Sequence, residues 1–224
     1  MADVRGVVHN AAGQAHAGRD AWRNLSLTPD GSLFAASHLD ALAREGRVFV
    51  ASDADENDVI TGATSYAATT PTLLLEVPNG KVALPLWVAL QQSGSVAGGN
   101  ISVAVSFDII SRYTSGGTAE TIRSTRSDHP LTPGCTLYST GGSAIVAPAA
   151  SRAQGLFFQT IMQDVALVAT DIPLPFANNG VWRPPAPLYL VGPAALLVFT
   201  YAATTGPSWL WSVGWAEIDE SELN

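Results

Sequence analysis

The chain has 224 residues, which is enough for one large domain that buries a substantial core without disulfides or a structural metal. Only 13% of the residues are charged, against roughly 25% in ordinary soluble domains, and the formal net charge is −8. Because nucleic acids and anionic membranes attract clustered Lys and Arg, this balance argues against both as direct partners. With so little charge, the surface must be covered by partners or solvated by uncharged polar side chains.

The N-terminal 46 residues form the first predicted unit. Residues 1–36 show no sustained hydrophobic period, which predicts an extended arm that is either mobile or held by neighbours. Within the arm, Thr28-Pro29-Asp30-Gly31 separates two short apolar runs and predicts a hairpin turn. A helix is predicted over residues 38–45, because Ser37 is a good N-cap and Gly46 a good stop.

Residues 47–224 are predicted to form a single β-domain. The segments 73–77 and 82–90 flank Asn79-Gly80, which predicts a hairpin between them. Pro85 cannot donate to a strand ladder, so it predicts an edge position or a bulge. Over residues 101–109 the odd positions are apolar and the even ones small or polar, which predicts one buried and one open face.

The remaining strands are predicted from β-branched and aromatic runs between turn residues. They span residues 48–50, 136–138, 155–161, 165–170, 188–191, 195–202 and 208–218. Because no helical pattern repeats between them, parallel α/β folds are excluded, and the expected fold class is an all-β, antiparallel β-sandwich of jelly-roll type. The irregular interval 116–133 is expected at one end of the sandwich.

One long uncharged stretch covers residues 184–216. Its five prolines oppose a membrane-spanning helix and favour buried strands separated by turns. The C-terminal third is therefore where burial in the core and in a subunit interface is expected to be greatest.

Four tryptophans lie in this C-terminal third. Trp209, Trp211 and Trp215 share one face of a predicted strand, and Trp182 precedes them. A row of exposed indoles could stack sugar rings, but apolar residues on the opposite face favour a core or subunit-interface strand instead.

An acidic run at residues 53–58 partly matches a calcium-binding loop. Oxygen-bearing side chains occupy its first, third and fifth positions, but Asp58 stands where Gly is needed and Thr64 where Glu is needed. A solvated loop is therefore favoured, and Asp53, Asp55 and Asp58 are left open as calcium ligands.

Catalytic motifs are absent from the sequence. It contains no nucleophile elbow, phosphate-binding loop or paired metal-ligating histidines, so we predict no enzyme activity, no metal and no cofactor. The single cysteine, Cys135, fits a reducing compartment and reads as a small buried side chain; a catalytic thiol would need His129 nearby. The N-terminus lacks a secretory apolar run, so the chain is expected to stay unprocessed.

Two segments carry a resemblance to a known class of proteins. Residues 71–90, with the sequence PTLLLEVPNGKVALPLWVAL, and the ending 187–199 followed by 213–218 resemble structural proteins of tailed-bacteriophage virions. The resemblance is to jelly-roll cement or decoration proteins of the head, extends over about residues 47–218 and transfers no catalytic residue. It implies a β-sandwich subunit, commonly a homotrimer, that clamps the major capsid protein from outside.

The expected function is therefore non-enzymatic stabilisation of the outer capsid surface, in a virion assembled from protein made in the host cytoplasm. The alternative is a tail or fibre receptor-binding domain that holds host glycans. The candidate interface residues lie in the arm and among the C-terminal tryptophans, and they are Arg5, Arg19, Trp22, Arg23, Trp182, Trp209, Trp211 and Trp215.

Overall fold

Two antiparallel β-sheets face each other in the computed structural model, which confirms the predicted all-β sandwich. Side chains are described at residues 37–53, 59–93, 100–128, 130–147, 180–203 and 206–223. Backbone alone is described at residues 5–7, 22–24, 155–163 and 179. The predicted hairpin at residues 28–31 and the predicted strand at 165–170 lie outside the described residues.

The predicted helix forms as α1 (His38–Arg44). The Ser37 hydroxyl accepts the backbone N–H of Asp40 at 3.1 Å, and the Asp40 carboxylate accepts the backbone N–H of Ser37 at 3.2 Å. This reciprocal capping satisfies two donors that the first turn would otherwise leave unpaired. Gly46 follows the helix with a φ of +79°, which only glycine adopts without strain.

Nine strands begin within two residues of their predicted positions, and six shorter strands among the described residues were not predicted. In chain order they are β1 (Arg5–Val7), β2 (Trp22–Asn24), β3 (Val48–Ser52), β4 (Ile60–Thr61), β5 (Leu73–Val77), β6 (Lys81–Gln92), β7 (Asn100–Asp108), β8 (Thr118–Ala119), β9 (Arg123–Ser124), β10 (Thr136–Ser139), β11 (Gly155–Gln163), β12 (Asn179–Trp182), β13 (Leu190–Val191), β14 (Ala194–Ala202) and β15 (Ser208–Asp219). A short 3-10 helix, Glu220–Glu222, follows β15. Within the arm, β1 and β2 pair with each other as a separate two-stranded sheet.

The strand order is that of a jelly roll. Sheet I runs β11-β7-β14-β5-β10-β8, and sheet II runs β12-β6-β15-β3-β9, with β13 beside β6 and β4 beside β15. The principal strands β3, β5, β6, β7, β11, β12, β14 and β15 change sheet at every connection except β7 to β11. This alternation builds two four-stranded sheets from one continuous winding, as in jelly-roll sandwiches.

The predicted hairpin at Asn79-Gly80 is wrong in one respect. The turn exists, since the backbone N–H of Lys81 donates to the Pro78 carbonyl at 3.2 Å and Gly80 has a φ of +78°. However, β5 belongs to sheet I and β6 to sheet II, so the turn carries the chain across the sandwich and does not close a two-stranded ladder. Burial of both strands against the common core decides their pairing, and the turn residues do not.

Both faces of sheet I are covered, which corrects the open face predicted for residues 101–109. Ile101, Val103 and Val105 lie in the core between the sheets, as predicted, and Phe107 packs against it partly buried. Ile109, which follows the end of β7, is 61% exposed, so the predicted buried face stops short of it. On the opposite face Ala104, Ser106 and Asp108 are also buried. Side chains from the long β7–β11 connection cover them, because Ile145 and Tyr113 pack in the apolar cluster on that outer face.

This connection is more regular than predicted. The interval 116–133 contains β8, which extends sheet I, and β9, which extends sheet II. The same connection carries a buried ion pair, in which Arg112 Nη1 lies 2.8 Å from an Asp108 carboxylate oxygen and both side chains are fully buried. Arg112 Nη2 donates to the Ala68 carbonyl at 2.9 Å, and its backbone N–H donates to Glu76. The pair therefore fixes the connection to sheet I.

Within the part of the chain that the structure describes, no helix is long and apolar enough to cross a membrane.

We expect Arg112→Ala to lower the free energy of unfolding by about 3–5 kcal/mol, because it leaves the Asp108 carboxylate buried without its cation. Chemical denaturation measures this loss, and the exposed Arg123→Ala should change stability by less than ~0.5 kcal/mol. The double variant Asp108→Asn, Arg112→Met should recover much of the loss. Equal effects of Arg112→Ala and Arg123→Ala would contradict the structural role of the pair.

Candidate functional site

A β-bulge in β6 turns the side chain of Trp87 from the core to the outer face of sheet II. In the pairing of β6 with β15, Gly214 lies opposite Trp87 and Trp215 opposite Pro85, so Leu86 is the extra residue. Of the two possibilities that Pro85 predicts, an edge position or a bulge, the structure has the bulge. Strand alternation from Ala83 and Pro85 would point Trp87 into the core, but the extra residue shifts the alternation by one. Trp87 consequently lies on the outer face of sheet II, while Val88 remains in the core.

The ring of Trp87 rests directly on the backbone of Gly214. A Cβ atom at residue 214 would overlap three atoms of the indole, so only glycine leaves room for the ring. The indole N–H donates to the Ser212 hydroxyl at 3.2 Å. These two contacts hold the partly exposed ring in one orientation along β15.

The residues around Trp87 form an uncharged patch on the same outer face, which we name the Trp87 face. Strand alternation and register place its members on four neighbouring strands. They are Val50, Ser52, Trp87, Ala89, Gln91, Val181, Leu210, Ser212 and Gly214. No member has an ionisable side chain, and Val181 is 61% exposed.

Helix α1 covers the other half of this side of sheet II. Leu42 packs with Val48, Val82, Ala216 and Ile218 in a separate apolar cluster. Leu84 and Leu86 are partly buried against that cluster. The Trp87 face therefore occupies the part of this side of sheet II that helix α1 does not cover.

The C-terminal tryptophans do not form a surface. Trp209 and Trp215 are 0% exposed, Trp211 is 4% exposed and Trp182 is 6% exposed, all within the core between the sheets. The predicted burial of the strand is confirmed. The prediction that these four side chains lie in an interface is wrong. The subunit's own core covers them, and they offer no ring face to a partner or a sugar.

The candidate calcium ligand Asp53 has a structural role. Its carboxylate accepts the backbone N–H of Trp211 at 2.6 Å, and its own backbone N–H donates to the Trp211 carbonyl at 3.3 Å. Asp53 thus continues the pairing of β3 with β15. Asp55 and Asp58 lie outside the described residues.

The arm candidates are only partly placed. Arg5 lies in β1, and Trp22 and Arg23 lie in β2, where the backbone alone is described. Arg19 lies outside the described residues.

Cys135 is a buried thiol beside a buried carboxylate. It is 3% exposed, and burial, followed by the nearby Glu217, raises the pKa of its thiol well above the ordinary value. Glu217 accepts N–H groups from Gly134 at 2.7 Å, Cys135 at 3.2 Å and the Trp215 indole at 2.8 Å. The carboxylate therefore anchors the chain before β10 to β15, and the thiol is suppressed as a nucleophile. Burial of Cys135 is as predicted; His129 lies outside the described residues.

Among the residues with described side chains, no group of three or more His, Cys, Asp or Glu is arranged to hold a metal ion.

The fold and this face define a jelly-roll β-sandwich with a rigid, uncharged, aromatic patch on one sheet. Comparison with known proteins finds no matching family model, no matching curated protein and no matching solved structure. What the chain does must be inferred from its own residues.

We expect Gly214→Ala to dislodge the Trp87 ring and to lower the free energy of unfolding by about 1–3 kcal/mol, as overpacking does. The indole N–H resonance of Trp87 should shift, since its bond to Ser212 depends on the ring lying flat. Gly180→Ala is the matched control, because a Cβ atom there meets nothing within 4 Å. If the Trp87 indole resonance is unchanged in Gly214→Ala, the ring does not lie against the backbone of Gly214 as described.

Proposed function

We propose that the chain is a non-enzymatic structural protein of a tailed-bacteriophage virion, which binds the outer surface of the head and stabilises contacts between major capsid proteins. The observation that carries this proposal is the Trp87 face. The jelly-roll strand order supports it too, because viral capsid domains are among the proteins that use this fold.

The chemistry of the Trp87 face favours a protein partner. Tryptophan is enriched at the energetic centres of protein interfaces, where charged residues are depleted. A fixed ring loses little conformational entropy when it is covered, and no member of the Trp87 face carries a charge that would have to be desolvated. The exposed Arg123 of β9 lies opposite Val50 and borders the face. Docking on this face would therefore gain apolar burial at low cost.

The size of the Trp87 face implies a second contact. With strands ~4.8 Å apart and two residues per ~6.8 Å, nine outward positions cover about 300 Å². A standard interface buries about 800 Å² per partner, so the face alone is too small. We propose that the arm, residues 1–36, supplies the remaining area by lying across neighbouring subunits, including copies of this chain in a homotrimer.

The net charge supports an outer location. A chain with a formal charge of −8 is repelled by packaged DNA inside the head, whereas the outer surface imposes no such repulsion. The proposal therefore places the protein outside the shell, in contact with the major capsid protein and away from nucleic acid.

The alternative function is glycan binding by a tail or fibre domain. The tryptophans that would stack on the sugar rings are not on the surface. Trp209, Trp211 and Trp215 lie in the core, so a sugar could not reach their rings without unfolding of the sandwich.

We expect Trp87→Ala to weaken binding to capsids prepared without this chain by about 30-fold or more, which is the loss of a hot spot worth ~2 kcal/mol. Co-sedimentation with the capsids measures the affinity, and circular dichroism verifies that the variant folds. Gly214→Ala, which displaces the same ring, should also weaken binding to the capsids.

The matched control is Tyr66→Ala, which removes another exposed aromatic side chain from the opposite side of the sandwich. It should bind capsids as the unaltered chain does. Unchanged capsid binding by folded Trp87→Ala would overturn the Trp87 face as the docking surface. Glycan binding that requires Trp87, without capsid binding, would replace the proposal with the alternative function.

A further inference from the structure

A hydroxyl-lined cleft lies on the other side of the molecule and shares no residue with the Trp87 face. Its volume is about 310 Å³, which is at the lower end of the range for small-ligand sites. The walls come from the segment around β4, the approach to β5 and the loop after β10. The lining residues are Thr61, Gly62, Ala63, Thr70, Thr72, Thr140, Gly141, Gly142, Ser143 and Ala144.

The walls of the cleft are held together by hydrogen bonds. The Thr140 hydroxyl donates to the Thr61 carbonyl at 2.9 Å, and the Thr140 backbone N–H donates to the Thr72 carbonyl at 3.2 Å. At the base, the buried hydroxyls of Thr72 and Thr200 lie 3.0 Å apart. The cleft is therefore largely preformed, so a ligand would not have to order it.

The lining selects a neutral and polar ligand. Five of the ten lining residues carry hydroxyl groups, and none is charged. Three of these hydroxyls also take part in hydrogen bonds within the fold: Thr72 with Thr200, Thr140 to the Thr61 carbonyl, and Ser143 from the Gly117 backbone N–H. An anionic ligand would find no cation there and a cationic ligand no carboxylate, whereas hydroxyl groups both donate and accept hydrogen bonds. Gly141 and Gly142 lack side chains, which lets a ligand approach the loop backbone closely.

An aromatic ring stands in the same chain segment as one wall. Tyr66 does not line the cleft itself, but it lies in sequence between the lining residues Ala63 and Thr70 and is 48% exposed. Its ring centroid is 5.0 Å from that of the buried Phe199 and 5.8 Å from that of Tyr201, in edge-on geometry with the latter. These contacts fix the ring while leaving about half of the side chain open to solvent.

We infer that this cleft binds a neutral saccharide, one or two sugar rings in size, with its hydroxyl groups bonded to the threonine-lined walls and an apolar ring face against Tyr66. Polyhydroxylated sugars match each part of the site: they carry no charge, they pair donors with acceptors, and their C–H faces pack on aromatic rings. The inference does not depend on capsid binding, because the Trp87 face is a separate surface.

The test is titration of the full-length, isotope-labelled protein with neutral sugars such as glucose, galactose, mannose and N-acetylglucosamine. We expect backbone amide shifts confined to the cleft with at least one of them. Thr70→Val removes one hydroxyl group at nearly constant volume and should weaken binding about three- to tenfold, the usual effect of one hydrogen bond. Tyr66→Ala should weaken it by a similar factor.

Two controls separate the cleft from the remainder of the surface. Thr121→Val changes an exposed threonine outside the cleft and should leave the sugar affinity unchanged. Trp87→Ala should likewise leave the sugar affinity unchanged while it weakens capsid binding. The inference is overturned if no sugar shifts the cleft resonances at millimolar concentration, or if folded Thr70→Val and folded Tyr66→Ala each bind the sugar as tightly as the unaltered chain does.

Discussion

The pairing of β6 with β15 is the constraint on which the arrangement of the molecule depends. These two long strands occupy the middle of sheet II, and their register sends Trp209, Trp211, Val213 and Trp215 into the core. One extra residue, Leu86, interrupts this register and turns Trp87 outward. The same ladder thus builds the densest part of the core and exposes the aromatic centre of the opposite face.

The few charged residues of the sequence are placed unevenly in the fold. Several ionisable groups are used inside the fold: Asp108 pairs with Arg112, Glu217 collects three N–H groups, and Asp53 extends a strand ladder. Such groups, once hydrogen-bonded, stabilise particular chain segments. The Trp87 face and the hydroxyl-lined cleft are both free of charged side chains. The two sides of the sandwich therefore offer different uncharged surfaces, one apolar and flat and the other polar and concave.

Local signals in the sequence were sufficient for the helix and for the principal strands other than β12, but not for the short strands β1, β2, β4, β8 and β9. The capping residues of α1 and the β-branched runs of β3, β7, β14 and β15 predict their structures because each signal depends only on near neighbours. The partner of each strand depends on tertiary burial, which is why Asn79-Gly80 predicts a turn correctly but a hairpin wrongly. The period of two placed Trp209, Trp211 and Trp215 on one face, and apolar residues on the opposite face favoured burial. Neither signal distinguishes the subunit core from a subunit interface.

The exposure of Trp87 on the outer face was not predicted, for a related reason. Pro85 predicts an edge position or a bulge, but it does not decide between them or specify which residue would be extra, and a shift of one position exchanges the core for the surface. The signal that could have located the site is the pair Trp87 and Gly214, a large ring opposite a glycine on neighbouring strands. Recognising that pair requires the register of β6 with β15. The hydroxyl-lined cleft needs even more tertiary information, since its walls come from three separate segments.

The most direct test of the proposed function is cryo-electron microscopy of the particle that contains this chain. The account predicts jelly-roll density on the outside of the head, with Trp87 and Val181 buried against the major capsid protein and with the arm extending over neighbouring subunits. Density at the tail or inside the shell, or on the head with the Trp87 face exposed to solvent, would contradict it.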